Sequence, residues 1–204
     1  MGWVSRADCL TAPREIGFDA SLSQLLSNPI RELAALRGER IGVVHSTPLR
    51  LQAGESATLF DRRGESAFDL ELSFALSAEP LSLLVSVLAA AAPSSSAGCG
   101  HPFDPLCVSL EVSAPDPRQA NARNVTLVAA AARHTFVLPG ADTRLRLRAL
   151  VDRKVMELFL ADGRAAYTSA VAPSVGAHAA FVTAVSAATL ANTSTWVMGC
   201  GWAA

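Results

Sequence analysis

Leu145-Arg-Leu-Arg-Ala-Leu-Val-Asp-Arg-Lys-Val-Met-Glu-Leu-Phe-Leu-Ala-Asp-Gly-Arg-Ala-Ala-Tyr-Thr-Ser169 is the stretch that decides the fold. Leu145 and Leu147 alternate with Arg144, Arg146 and Arg148. That period of two belongs to a strand with one buried face. A second alternating run, Val155 to Leu160, follows the Asp152-Arg153 step, which reads as a turn. Asp162-Gly163 then supplies a tight hairpin turn before a third strand, Arg164 to Ala170.

Working outward, the same period governs most of the chain from Ile41 on. In Phe68-Asp-Leu-Glu-Leu-Ser-Phe74 the side chains of Phe68, Leu70, Leu72 and Phe74 face one way, and those of Asp69, Glu71 and Ser73 face the other. The second set reads as a solvated face. Further strand-like runs at Leu81–Leu88, Cys107–Val112, Asn124–Val128, His134–Leu138, Ala179–Val185 and Thr195–Met198 are separated by Pro, Gly, Ser and Asp clusters. Many short strands at this spacing predict an all-β chain, an antiparallel β-sandwich or barrel. Before them, Asn28-Pro-Ile-Arg-Glu-Leu-Ala-Ala-Leu-Arg-Gly38 reads as a short linker helix, with Asn28 as N-cap, Pro29 at the first helical position and Gly38 at the exit. Its apolar face is Ile30, Leu33 and Leu36. The first 26 residues hold one strand-like run, Asp8 to Ile16, whose pairing partners must lie elsewhere.

Composition excludes several function classes. The chain has 204 residues, is 50% apolar and 17% charged, and carries a net charge of −1. It has enough apolar material for one buried domain and no basic excess for phosphate backbones or anionic lipid. Nucleic acid and membrane are therefore not expected partners. The most apolar run, Leu81 to Ala92, is too short to span a bilayer as a helix, and the N-terminus lacks the pattern of a signal peptide. Localisation is left open.

Cys99 and Cys107 bracket a short loop and are candidates for a disulfide, while Cys9 and Cys200 stand apart. A zinc site on Cys99, His101 and Cys107 lacks a fourth ligand and a second cysteine pair. Asn124-Val-Thr126 and Asn192-Thr-Ser194 are possible glycosylation sequons. His45, His101, His134 and His178 show no metal-binding spacing, and no nucleophile elbow, phosphate loop or dinucleotide fingerprint is present. No metal or cofactor is expected. Two carboxylate pairs come into question for glycosidase chemistry, Asp69 with Glu71 on one strand face, which a solvated face explains better, and Asp152 with Glu157 around the Asp152-Arg153 turn. Asp152 reads as a turn residue, and Trp196, beside Val197 and Met198, as core rather than a sugar platform.

The Leu145–Ser169 stretch closely resembles the C-terminal β-sandwich motif of glycoside hydrolase family 32, the invertases, inulinases and related β-fructosidases. The matching positions are Val151, Asp152, Val155, Glu157, Phe159, Gly163, Arg164, Thr168 and Ser169. Cys9-Leu-Thr-Ala-Pro-Arg-Glu-Ile16 is similar to the last strand of that family's catalytic propeller, and Asn28 to Arg37 to the linker helix behind it. Ala67 to Phe74 resembles an early sandwich strand; Ala188-Thr-Leu190 and Trp196-Val-Met198 resemble the closing one. The segments Ala89–Pro105 and Asp116–Asn121 depart from the pattern as loop insertions.

The resemblance implies three parts. Residues 1–26 would be a remnant of the last propeller blade, 27–40 the linker helix and 41–204 a jelly-roll-like sandwich of two sheets. None of the motifs carrying the family's nucleophile, transition-state-stabilising or acid/base carboxylates occurs in the chain, so no catalytic residue is assigned. The implied role is structural, within an enzyme hydrolysing terminal β-fructofuranosyl bonds of sucrose or fructans. The implied partner is a catalytic propeller, missing or separately encoded, with homodimerisation and fructan or sucrose contact as further expectations. The alternatives are a lectin-like carbohydrate-binding module and an interaction subunit docking through its N-terminal segment.

Overall fold

A computed structural model of the chain describes residues 11–42, 48–62, 67–96, 99, 107–129, 132–152, 155–170 and 177–199. Strands dominate it, in the order β1 (Arg14–Asp19), β2 (Gln24–Pro29), β3 (Arg37–Ile41), β4 (Leu49–Leu51), β5 (Ser56–Asp61), β6 (Ala67–Ala75), β7 (Leu81–Ala89) and β8 (Cys107–Val112). There follow β9 (Arg123–Ala129), β10 (Ala132–Leu138), β11 (Arg144–Asp152), β12 (Val155–Leu160), β13 (Ala165–Ala170), β14 (Ala179–Ala184) and β15 (Ala188–Met198). Among the described residues no helix is long and apolar enough to cross a membrane.

Two antiparallel sheets make the sandwich. One runs β10-β9-β8-β7-β14-β5; the other runs β13-β12-β11-β6-β15-β3, with β4 also pairing β15. The period-two patterns decide which side chains meet between them. Phe68, Leu70, Leu72 and Phe74 of β6, with Leu145 and Leu147 of β11, are at most 2% exposed. From the other sheet Leu83, Val85 and Val87 of β7, Leu110 of β8, Val125 and Leu127 of β9 and Val182 of β14 join the same core. Phe60 and Phe68 meet edge to face across the layers, ring centroids 4.6 Å apart.

The N-terminal part differs from the sequence expectation. Residues 28–38 do not form one capped helix. Asn28 and Pro29 end strand β2, the helical segment is a 3-10 helix over Arg31–Leu36, and Gly38 lies within β3. The Asn28 amide is spent elsewhere, donating to the carbonyl of Asp162 at 2.9 Å. The residue at the start of the helix is instead Ile30, whose side chain offers no capping acceptor. Strands β1 and β2 pair as a hairpin and form a sheet of their own. The hairpin crosses the expected boundary after residue 26, and β3, inside the expected linker, already belongs to the sandwich.

The hairpin rests against the sandwich where both sheets reach their edges. With its amide oriented as its two partners require, Gln24 brackets one residue of edge strand β10, donating to the Val137 carbonyl and accepting from the Val137 N–H, each at 3.2 Å.

Candidate functional site

On β12, Met156, Leu158 and Leu160 are core residues, so Glu157 and Phe159 project from the outer face of the sheet. A carboxylate there would ordinarily be solvated, yet Glu157 is 3% exposed because the start of the hairpin lies over it. One carboxylate oxygen accepts the backbone N–H of Ala12 at 2.5 Å, and the other accepts the Arg14 guanidinium at 2.5 Å. Arg14 also donates to Thr168 at 2.8 Å, and Thr168 is the cross-strand neighbour of Glu157. The guanidinium carbon lies 5.3 Å from the centre of the Phe159 ring, a cation–π distance.

The turn after β12 makes the second contact. Ala161, Asp162 and Gly163 all have positive φ, +51°, +55° and +89°. The Gly163 carbonyl accepts the Ser27 N–H at 2.8 Å. A Cβ on Gly163 would stand 2.8 Å from the Asn28 side chain, so both conformation and close approach call for glycine. Arg164 donates to Asp19 at 2.7 Å and to the Ala161 carbonyl at 3.0 Å. The Asp19 carboxyl is held below its ordinary value of 3.8, first by the Ser21 hydroxyl and then, against burial, by Arg164.

Glu157, Phe159, Gly163, Arg164 and Thr168 thus converge on one task, seating the hairpin β1–β2 on the sandwich. The other motif positions stand apart from it. Asp152 is exposed at the end of β11 opposite Val155, and Ser169 bonds only to the neighbouring Ala170 carbonyl.

A second cluster was missed by sequence reading. Asp69 is fully buried instead of solvated. Arg148 grips it with two bonds of 2.9 and 2.7 Å, and Arg37 adds a third at 2.7 Å while also pairing with Glu71. Burial disfavours the charge on Arg37, but the bonds to Asp69 and Glu71 outweigh it and leave its pKa raised. Arg37 also lies 3.9 Å above the Trp196 ring, so that aromatic is neither core nor a free sugar platform. Asp69 and Glu71 are consumed in these ion pairs, which removes them as a glycosidase pair. The usable signal was the alternating arginines of β11, of which Arg148 stands directly opposite Glu71 on β6.

Cys99 and Cys107 are joined as a disulfide, their Cα atoms 5.3 Å apart. Both sulfurs of the conceivable zinc set are thereby spent, and His101 lies outside the described residues. Among the described residues no cluster of His, Cys, Asp and Glu could hold a metal. His134 is exposed on β10, its ring 6.4 Å from that of Tyr167, and His178 pairs with Asp61 at 3.0 Å. Asn124 and Asn192 are both exposed on strands. His45, Cys9, Cys200, Trp3 and Trp202 lie outside the described residues.

Comparison with known proteins places this geometry. The family model described as glycosyl hydrolases family 32 C terminal matches residues 32–197. The fold is similar to fructan 1-exohydrolase IIa from Cichorium intybus, with a TM-score of 0.63 at 17% identity over 92% of this chain and 40% of that one. Exo-inulinase from Aspergillus awamori gives 0.59 at 16% identity over 94% of this chain and 36% of that one. For the Bombyx mori β-fructofuranosidase BmSUC1 the TM-score is 0.52 at 16% identity, over 93% and 32%. The chain therefore spans two fifths or less of the length of these structures. A search of curated proteins by sequence found no match.

Proposed function

This chain belongs to the glycosyl hydrolase family 32 C-terminal family, and on that premise we propose that it is the structural sandwich module of a β-fructofuranosidase-like enzyme. Its task is to hold the last part of a catalytic domain in place. The observation that carries this is the convergence of the motif side chains on hairpin β1–β2. That hairpin presents Ile16, Phe18 and Leu25 to solvent at 65%, 62% and 70% exposure, with Phe18 directly opposite Leu25. Adjacent exposed apolar side chains of this size mark a surface that expects cover.

The proposed cover is a catalytic propeller, in the same polypeptide or a separate one. The hairpin would belong to the last blade, the Arg31–Leu36 helix to the linker, and the strands from β3 onward to the sandwich. Hydrolysis of terminal β-fructofuranosyl bonds would take place on the propeller, whose carboxylates are not among the residues of this sequence. The sandwich would contribute rigidity and alignment without touching the reacting bond.

The experiment is complementation. The chain alone should release no fructose from sucrose or inulin. Co-expressed with the propeller of a family relative, it should co-purify with it and raise its thermal midpoint. Phe18→Asp combined with Leu25→Asp should abolish co-purification while leaving the sandwich folded. Fructose release by the isolated chain that survives repurification, or co-purification unaffected by the double substitution, would overturn the proposal.

A further inference from the structure

The outer face of the sheet containing β6, β11 and β15 carries a feature beside the hairpin seat, sharing Asn28, Phe159, Asp162 and Gly163 with it. An open pocket of ≈ 350 Å³ lies there, lined among others by Ser73, Arg144, Arg146, Phe159, Asp162 and Asn192. Strand register builds it. Ser73 of β6 stands directly between Arg146 of β11 on one side and Asn192 of β15 on the other. Arg144 continues the arginine row two residues on, which puts the two guanidinium stems on the same face of β11.

Two observations point to a ligand. Ser73 is only 9% exposed, lines the pocket, and among the described residues its hydroxyl has no hydrogen-bond partner. A buried hydroxyl without a partner costs free energy unless something in the pocket bonds to it. Arg144 is exposed and, among the described residues, has no ion-pair partner, whereas Arg148 is fully engaged by Asp69. Among the described residues Arg146 is held only by Asp162, and both members of that pair are more than half exposed, at 63% and 56%. An ion pair in that setting contributes little and is readily exchanged for a better acceptor.

The donor balance selects the ligand chemistry. Of the pocket's carboxylates, Glu71 is taken by Arg37, and Asp162 competes with the ligand for Arg146. What remains are the cationic N–H donors of Arg144 and Arg146, the Ser73 hydroxyl and the amides of Asn192 and Asn28, the latter already donating to the Asp162 carbonyl. A neutral polyol needs acceptors for its own hydroxyl protons as much as donors, while an oxyanion needs donors only. We infer that this pocket is a binding site for a small ligand bearing an oxyanion group, held by Arg144 and Arg146 with Ser73 between the strands. The Phe159 ring and the open side leave room for a compact polyhydroxyl body. The inference concerns a face distinct from the apolar strip of the hairpin and does not depend on a partner domain.

Fructose 6-phosphate, inorganic phosphate and fructose, titrated calorimetrically into the full chain at low ionic strength, separate the possibilities. Fructose 6-phosphate should bind saturably, fructose should not, and added salt should weaken the interaction. Binding of phosphate alone with equal strength would support the oxyanion site and show that the sugar body adds nothing. Arg144→Gln should weaken binding about tenfold or more, as should Arg146→Gln, whereas Arg133→Gln on the exposed part of β10 should leave it unchanged. Ser73→Ala tests the buried hydroxyl and should also weaken binding. Heat from fructose alone, an affinity indifferent to both arginine substitutions, or no binding of either phosphate ligand at millimolar concentration would each overturn the inference.

Discussion

At the scale of single residues, the decisive group is Glu157. It sits buried with a guanidinium and a backbone N–H as partners, so its removal strands both. Glu157→Ala should destabilise the chain by about 3 kcal/mol, the cost typical of breaking a buried ion pair by removing one member. Glu157→Gln keeps one acceptor and should lose less. Thermal unfolding ranks the two, and equal losses would mean the carboxylate charge is irrelevant. Gly163→Ala meets both a positive φ and the Asn28 side chain and should cost about 1–3 kcal/mol, with faster proteolysis in the β1–β2 turn as its local sign. The motif spacing made Glu157 and Gly163 legible in the sequence; Asp69 was not. Alternation tells which face a side chain takes but not whether that face is covered. The cover comes from Arg37 and Arg148, 32 and 79 residues away.

At the scale of elements, the apolar runs bounded by turn residues were readable nearly to the residue, as β8 and β12 show. Strands β2 and β3 were hidden, because Asn28, Pro29 and Gly38 imitate helix punctuation and their true roles are set by tertiary contacts. The hairpin made by β1 and β2 is also the element with a built-in acid sensitivity. Asp19 has a folded pKa below 3.8, so its contribution is complete above that pH and is lost as the pH falls through the folded value. Arg164 then loses its anionic partner. Hydrogen exchange at the Ser27 amide, corrected for intrinsic rates, should accelerate in that range ahead of core amides such as Leu110. Asp19→Asn should remove the extra acid response, and parallel behaviour of both amides in the parent chain would contradict it.

At the scale of the whole molecule, the Cys99–Cys107 bridge closes a short loop at the mouth of β8. Replacing both cysteines by serine should lower stability by roughly 2–3 kcal/mol through the restored freedom of the unfolded loop, read as an equal shift on adding reductant to the parent. An unchanged denaturant midpoint would show that the bridge carries no folding free energy. The two-sheet architecture was legible because a sandwich repeats one simple rule along every strand. The hairpin's seat was legible only as a motif, since its purpose depends on which surface of the chain lies over it. Gln24 adds a consequence for handling. Its carboxamide occupies the N–H and C=O of Val137 in β10, so the hairpin works as a stopper on an otherwise joinable sheet margin. If the stopper lifts, those two groups become free to recruit another molecule at the moment the apolar strip is set loose. Storage life at high concentration should then follow the rate of hairpin release, long before global unfolding, and a Gln24→Ala preparation should cloud earlier at an unchanged melting temperature.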